Sequence, residues 1–188
     1  MFDSIRGRLL SRTPSSCVVE TRGVGFAIAV PLGTYEKLPA VGAEATLRVH
    51  LVVREAEWRL FGFETEEERA LFRACLSVDK VGPAIALALL SGMSPAGLRA
   101  AIESRDAAAL SRVKGIGKKT AERLIVELTG KLGAPASGGA GSEVLSDAVA
   151  ALVALGLERA EAEKRLAKLP RESELPLAER VRRALRGG

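Results

Sequence analysis

The spacing of apolar positions changes character along this chain. Up to residue 63 they alternate. Ser15 to Thr21 and Val24 to Val30 flank Arg22-Gly23, a pair suited to a hairpin turn. Ala45 to Val53 reads ATLRVHLVV, alternating and rich in β-branched residues; Glu57 to Phe63 follows almost at once, and Ile5 to Leu10 supplies a further strand. About five short strands in this length predict a small closed barrel of the OB type. Its aromatic residues are Phe2, Phe26, Tyr35, Trp58, Phe61 and Phe63, and most are expected inside the barrel, which argues against a platform for stacking bases.

Beyond residue 63 the period becomes helical. Thr65 and Glu68 have the spacing of a capping box and open a helix through Leu76. Ser94-Pro95 is an N-cap followed by proline at the first helical position, and Asp106 caps a short helix from Ala107 to Val113. After Gly117, the residues Ala121, Leu124, Ile125 and Leu128 recur at i, i+3, i+4 and i+7, one face of an amphipathic helix.

This last arrangement occurs twice. Val81-Gly82-Pro83-Ala84-Ile85-Ala86 matches Ile116-Gly117-Lys118-Lys119-Thr120-Ala121 at an offset of 35 residues, 117 − 82. In that register Ala86, Leu89, Leu90 and Met93 fall on Ala121, Leu124, Ile125 and Leu128, so all four buried-face positions agree. Each copy reads as helix, tight glycine turn, helix. Glycine suits such a turn because it accepts positive φ and has no side chain to hold a ligand off the backbone. A helix that opens on glycine leaves N–H groups unpaired at the positive end of its dipole, a seat for a phosphate.

Charge gathers at the second seat. The chain carries a formal net charge of +5, but residues 64–133 account for only +2 of it, 11 basic minus 9 acidic. Between Arg112 and Arg123 there are five basic residues and one acid, Glu122. Two glycine turns can simply join packed helices; the paired copies and the concentrated charge favour a helix-hairpin-helix pair that grips a DNA backbone. The residues expected at it are Lys80, Val81, Gly82 and Pro83 in the first hairpin, with Lys114, Gly115, Ile116, Gly117, Lys118, Lys119, Thr120 and Arg123 in the second.

Gly130 to Ser142, GKLGAPASGGAGS, has the composition of a flexible linker. Residues 143–188 then read as three short helices: one ending at Gly156, one from Glu158 to Leu169 before Pro170, and one from near Pro176 into the basic run Arg180, Arg182, Arg183 and Arg186. Val144, Leu145, Ala148, Val149, Leu152, Val153 and Leu155 exceed one helical face, so part of that apolar surface either fills the bundle core or awaits a partner.

Several chemistries are missing. Gly117-Lys118-Lys119-Thr120 fails the P-loop pattern twice, with Arg112 in place of the first glycine and Lys119 in place of the magnesium-binding hydroxyl. His50, the lone histidine, sits within a strand and reads as structural; Cys17 and Cys75 are isolated, which predicts a reducing compartment and no metal site. No apolar run approaches the roughly 20 residues of a membrane span. The chain reads as a binder that needs no cofactor.

The order of barrel, two helix-hairpin-helix motifs, Gly/Ala linker and small bundle resembles the RuvA family, Holliday-junction-binding subunits of the bacterial branch-migration complex. The resemblance covers nearly the whole chain. It is carried by Gly23-Val24-Gly25-Phe26, by Val52-Val53-Arg54-Glu55 before Phe61-Gly62-Phe63, by Val81-Gly82-Pro83 and Leu90-Ser91-Gly92-Met93-Ser94. Above all it rests on the run from Gly115 through Glu127, with Ala150-Ala151-Leu152-Val153-Ala154-Leu155-Gly156 in the bundle. It implies a multidomain α+β architecture: an OB-like barrel with an acidic pin (1–63), a tandem helix-hairpin-helix domain (64–133), a linker (134–142) and a three-helix UBA-like bundle that meets a motor (143–188).

The resemblance further implies a cytoplasmic homotetramer or octamer that holds four-way junction DNA open and flat during recombination and repair. The ATPase would lie in a ring-shaped RuvB-like partner, and a RuvC-like resolvase is the other expected partner. The pin acids would be Glu55 and Glu57, although Ala56 interrupts the usual adjacent pair. Two other classes stay open at this level: a helix-hairpin-helix repair enzyme, and a generic OB-fold binder of single strands.

Overall fold

The alternating segment folds back on itself until no edge is left. In the computed structural model, which describes residues 2–55, 57–130, 132, 148–149, 151–167 and 177–186, the strands are β1 (Ser4–Thr13), β2 (Ser16–Thr21), β3 (Val24–Ala29), β4 (Glu44–Arg54) and β5 (Glu57–Phe63). They close in the order β1-β2-β3-β5-β4, all antiparallel but for the β3–β5 pair. The Arg22-Gly23 turn has positive φ at both residues, 50° and 86°, as a tight two-residue hairpin requires. The long β1 pairs with β4 through Ser4–Arg8 and with β2 from Arg8 onward, with an irregularity between Leu9 and Ser11 that bends it round the barrel. Ile5, Leu9, Val19, Ile28, Leu47 and Val49 fill the interior.

Two expectations for this segment need correction. A short helix, α1 (Leu32–Lys37), lies between β3 and β4 where the sequence was expected to run only as strands and turns. Its six residues complete too few turns to print a helical period, and buried Thr34 anchors it by donating to Glu68 Oε2 at 3.0 Å. The aromatic residues also do not mostly fill the barrel. Phe2 and Trp58 are exposed, and Phe26 and Tyr35 are half-buried against the barrel core. Phe61 and Phe63 are buried on the outer side of β5, against Phe72 at ring-centre distances of 5.0 and 4.9 Å. Strand parity decides this. Gly62 takes the inward position, where a Cβ would stand 2.6 Å from the Ile28 side chain, so its neighbours point out.

That outward aromatic pair joins barrel to helices. The helical core unites Phe61 and Phe63 with residues from α2 (Glu66–Leu76), α3 (Pro83–Gly92), α4 (Pro95–Glu103), α5 (Ala107–Ser111) and α6 (Lys118–Leu128). Phe72 is fully buried at this seam, and truncating it to alanine is expected to cost about 3–5 kcal/mol. A polar tie runs beside it: Arg69 of α2 donates to the Asp3 carboxylate at 2.6 Å and to the carbonyls of Asp3 and Val49. Barrel and hairpins thus belong to one unit, Met1–Pro135.

His50 lies in the same seam, its ring edge-on to Phe72 at 5.7 Å. Burial holds the imidazole below its usual range, and Arg73 and Arg69 add repulsion to the protonated form. The unfolded chain takes up this proton below about pH 6.5 while the folded chain resists it, so the unfolded state binds more protons there. Stability is therefore expected to be full above that pH and to fall as pH drops toward 5. A denaturant midpoint followed against pH checks this, and His50→Gln should flatten that limb of the curve.

The helix boundaries follow the capping signals. Thr65 and Glu68 form both halves of the capping box, Ser94 accepts from the Gly97 amide, and Asp106 accepts from the Ala109 amide. The helix after Asp106 ends at Ser111, two residues before the expected Val113. Both cysteines are buried, which pushes the Cys17 thiol up to about 11 and Cys75 to about 12, leaving them protonated and unreactive. No single helix among the described residues is long and apolar enough to cross a membrane.

The second unit, Ala136–Gly188, holds helical residues 148–149 and 151–154 (α7), α8 (Arg159–Ala167) and α9 (Leu177–Arg186). Gly156 has φ 97°, and the bonds from Gly156 N–H to Val153 and from Leu157 N–H to Leu152 form the glycine-terminated helix end expected there. Ala148, Leu152, Ala162, Leu166 and Ala184 make its core, while Val153, Leu155 and Leu185 remain exposed. Most of the expected linker, together with Val144 and Leu145, lies outside the described residues.

Candidate nucleic-acid interface

The internal repeat holds at the level of single backbone bonds. Val81 N–H donates to Val78 and Ile116 N–H to Val113, each at 3.1 Å; Ala86 donates to Gly82 and Ala121 to Gly117, each at 3.0 Å. Every one of these pairs is related by the same 35-residue offset. Lys80 (φ 64°) and Gly115 (φ 92°) occupy the left-handed position of the two turns, and Gly82 and Gly117 are the extended N-caps of α3 and α6. Val81 and Ile116 are buried beneath the turns. Their amides and side chains are thus spent on the fold, and what each turn offers outward is the start of the helix that follows.

Those two starts differ from their neighbours. Where α2, α4 and α5 have a Thr, Ser or Asp side chain over the first turn, neither Gly82 nor Gly117 provides a cap. The N–H groups of Lys118 and Lys119 in α6, and of Ala84 in α3 where Pro83 carries none, are therefore left without a side-chain cap at the positive end of each dipole. The expected reason for glycine needs revision at these two positions. Both have negative φ, −89° and −84°, so left-handed freedom is required only at Gly115. A Cβ on Gly82 or Gly117 would meet nothing within 4 Å. The fold leaves room for a side chain that the sequence withholds.

This observation yields a test. Gly82→Ala and Gly117→Ala are expected to change stability by less than about 1 kcal/mol, because the restricted unfolded chain offsets the loss of glycine at an N-cap. The same methyl group would stand between the helix start and any bound phosphate. Melting curves paired with DNA-binding isotherms check it: little-altered melting with weakened binding is the expected pattern.

The predicted cations divide into two groups. Lys114, Lys118 and Lys119 are exposed around the second start, and Lys118 is 84% exposed with Glu122 only at 4.0 Å. Thr120 is half-buried. Arg123 points elsewhere, donating to the Asp79 carboxylate at 2.5 Å and to the Asp79 carbonyl at 3.2 Å, so it braces α6 against the turn of the first hairpin. Met93, expected on the buried face, is the half-buried C-cap of α3, while Ala86, Leu89 and Leu90 are buried as expected.

The acidic pair divides as well. Glu55 is exposed in the turn between β4 and β5. Glu57 is already in the ladder, opposite Arg54, with its carboxylate 3.5 Å from Arg59. Arg54 and Arg59 share with Gly82 and Pro83 the lining of one cleft. Neither arginine was among the expected site residues. The signal available in the sequence was their even spacing with Glu57 about a two-residue turn, which places all three on one strand face.

Among the described residues no group of three or more His, Cys, Asp or Glu is placed to hold a metal ion. Comparison with known proteins supplies the rest. Residues 1–62 match the model of the RuvA N-terminal domain, residues 72–129 that of a SAM-like helix-hairpin-helix tandem, and residues 143–187 that of the RuvA C-terminal domain. Similar full-length proteins include those of Alkalilimnicola ehrlichii (40% identical, covering 98% of each chain) and Albidiferax ferrireducens (43% identical, covering 99% of this chain and 98% of that one). Another, from Methylibium petroleiphilum, is 43% identical over 92% of each chain, and all three are called Holliday junction branch migration complex subunit RuvA. With every domain of the family present in the family's order, this chain belongs to the RuvA family.

Proposed function

We propose that four copies of this chain bind a four-way DNA junction, hold it open and flat, and couple it to a ring-shaped RuvB-like ATPase for branch migration. The observation that carries this reading is the pair of uncapped helix starts, built on one turn geometry and repeated at a fixed offset. Two such seats on one rigid unit match two phosphates of one duplex arm, and they offer nothing that reads base edges. Arg123 fixes the spacing between the seats through Asp79. Lys114, Lys118 and Lys119 supply the charge, while Val81 and Ile116 shape the turns from below.

In this reading the chain is a cytoplasmic, non-catalytic subunit that needs no cofactor, and the motor supplies the ATP hydrolysis. The exposed Val153, Leu155 and Leu185 of the second unit are the surface offered to that motor. A RuvC-like resolvase would act on the junction held flat, and a second tetramer closing over the first would give the octamer.

Glu55 serves as the pin. An acid facing DNA raises the energy of nearby phosphates and is useful only where strands must be kept apart. Glu55→Gln is therefore expected to leave junction affinity equal or tighter, while changing the distances between labelled arm ends and the rate of migration. If energy transfer between the arms and migration are both unaltered, Glu55 is a solvated turn and no pin.

A further inference from the structure

Across the turn the first hairpin has one cation, Lys80, in residues 79–84, against three in residues 114–119 of the second. At the 35-residue offset, Asp79 stands where the second hairpin has Lys114, Pro83 where it has Lys118, and Ala84 where it has Lys119. Two seats of the same backbone geometry would then hold phosphate with very unequal strength. The barrel supplies what is missing. A cleft of about 240 Å³ has Gly82, Pro83 and Ala84 on one side and Arg54, Glu57 and Arg59 on the other. Arg54 pairs with Glu57 across the β4–β5 ladder and Arg59 follows two residues later, so strand parity turns all three toward the hairpin.

We propose that Arg59 provides the phosphate-binding charge of the first hairpin, and that Glu57 is its counter-ion in the free protein and not a second acid of the pin. This rests on the reading of the hairpins as phosphate seats. The guanidinium of Arg59 lies 5.7 Å from the centre of the Phe61 ring, and Phe61 is itself buried, so the arginine is backed by a rigid surface. Its planar fork suits two oxygens of one phosphate, and it is less strongly hydrated than a lysine. Its bond to Glu57 is 3.5 Å long between side chains that are 54% and 62% exposed. Exposed pairs of this kind are weak, so an incoming phosphate can take the arginine from the carboxylate. Glu57 is then a charge that restrains DNA binding through Arg59. Glu55 alone stands in the turn.

The test uses the full-length chain and a four-way junction, with affinity measured across a salt series for the wild type, Arg59→Gln, Glu57→Gln and the double variant. Arg59→Gln should lower the slope of log affinity against log salt by about 0.9 for each chain engaged. Arg59→Lys, which keeps the charge, should restore most of that slope. Glu57→Gln should tighten binding by up to about fivefold for each chain engaged, the range of an exposed pair. That gain should disappear when residue 59 is already glutamine. An unaltered slope in Arg59→Gln overturns the proposal. So does an equal gain from Glu57→Gln in both backgrounds, as an independent pin acid would give. Lys118→Ala run alongside separates the two levels: if it too leaves the slope unaltered, the phosphate-seat reading itself falls, whereas silence at Arg59 alone removes only the present assignment.

Discussion

Replacing Lys118 and Lys119 together with alanine is expected to weaken junction binding by about a hundredfold or more at moderate salt, and to do so alike for junctions of unrelated arm sequence. Each lysine stands in the first turn of α6, exposed, beside N–H groups that no side chain caps. Hydrogen bonds to charged groups contribute about 1.5–3 kcal/mol each, and each phosphate deprived of its cation should lower the salt slope by about 0.9. Stability should move the other way if it moves at all. Cations at the positive end of a helix dipole are unfavourable by roughly 0.3–1 kcal/mol, so the variant should melt at an equal or slightly higher temperature. Weakened binding with intact melting separates a binding role from a structural one. A pronounced preference of the wild type for particular arm sequences would count against phosphate recognition.

The second large effect is expected from a cut in the chain. A fragment of residues 1–133 retains the barrel core, the helical core and Leu132, which packs against the latter. The residues from Ala136 on form a separate unit with a core of its own. The fragment should therefore fold and bind junctions within about twofold of the full chain, since it keeps every proposed phosphate-binding group. It should fail to support migration driven by the RuvB-like motor, because Val153, Leu155 and Leu185 are gone with the bundle. Migration at the full-length rate would show that the motor binds elsewhere.

What the sequence disclosed depended on how local each signal was. Caps, glycine turns and the 35-residue repeat are written within a few residues, and Thr65, Ser94, Asp106, Arg22-Gly23 and Gly156 all do in the structure what their types imply. The closed barrel was legible for the same reason, since five alternating runs with tight turns leave few other topologies. The short α1 was not legible, because its anchor is a bond from Thr34 to Glu68, 34 residues away.

Direction was harder to read than existence. Phe61 and Phe63 were rightly placed on a strand, but which face of that strand meets the barrel interior is set by Gly62 against Ile28. In the candidate site the same limit applies. Lys118 and Lys119, singled out by the glycine turn and the local charge, stand exposed at the start of α6. Arg123 looks like one more cation until Asp79, 44 residues earlier, is seen to hold it. Glu57 looks like a partner of Glu55 until the ladder pairs it with Arg54 and turns it toward Arg59. A tally of charges does not distinguish a free cation from a paired one; neighbours remote in sequence decide it.

The most direct measurement of the central claim is a competition gel shift at one fixed salt concentration, with four-way junction, duplex of equal arm length and single strand as competitors. The account predicts that the junction displaces the labelled junction at far lower concentration than duplex does, by on the order of a hundredfold or more, since only it engages several copies at once. Single strand should compete least. Equal competition by duplex would contradict recognition of the four-way geometry, and stronger competition by single strand would make the barrel, and not the paired hairpins, the binding surface.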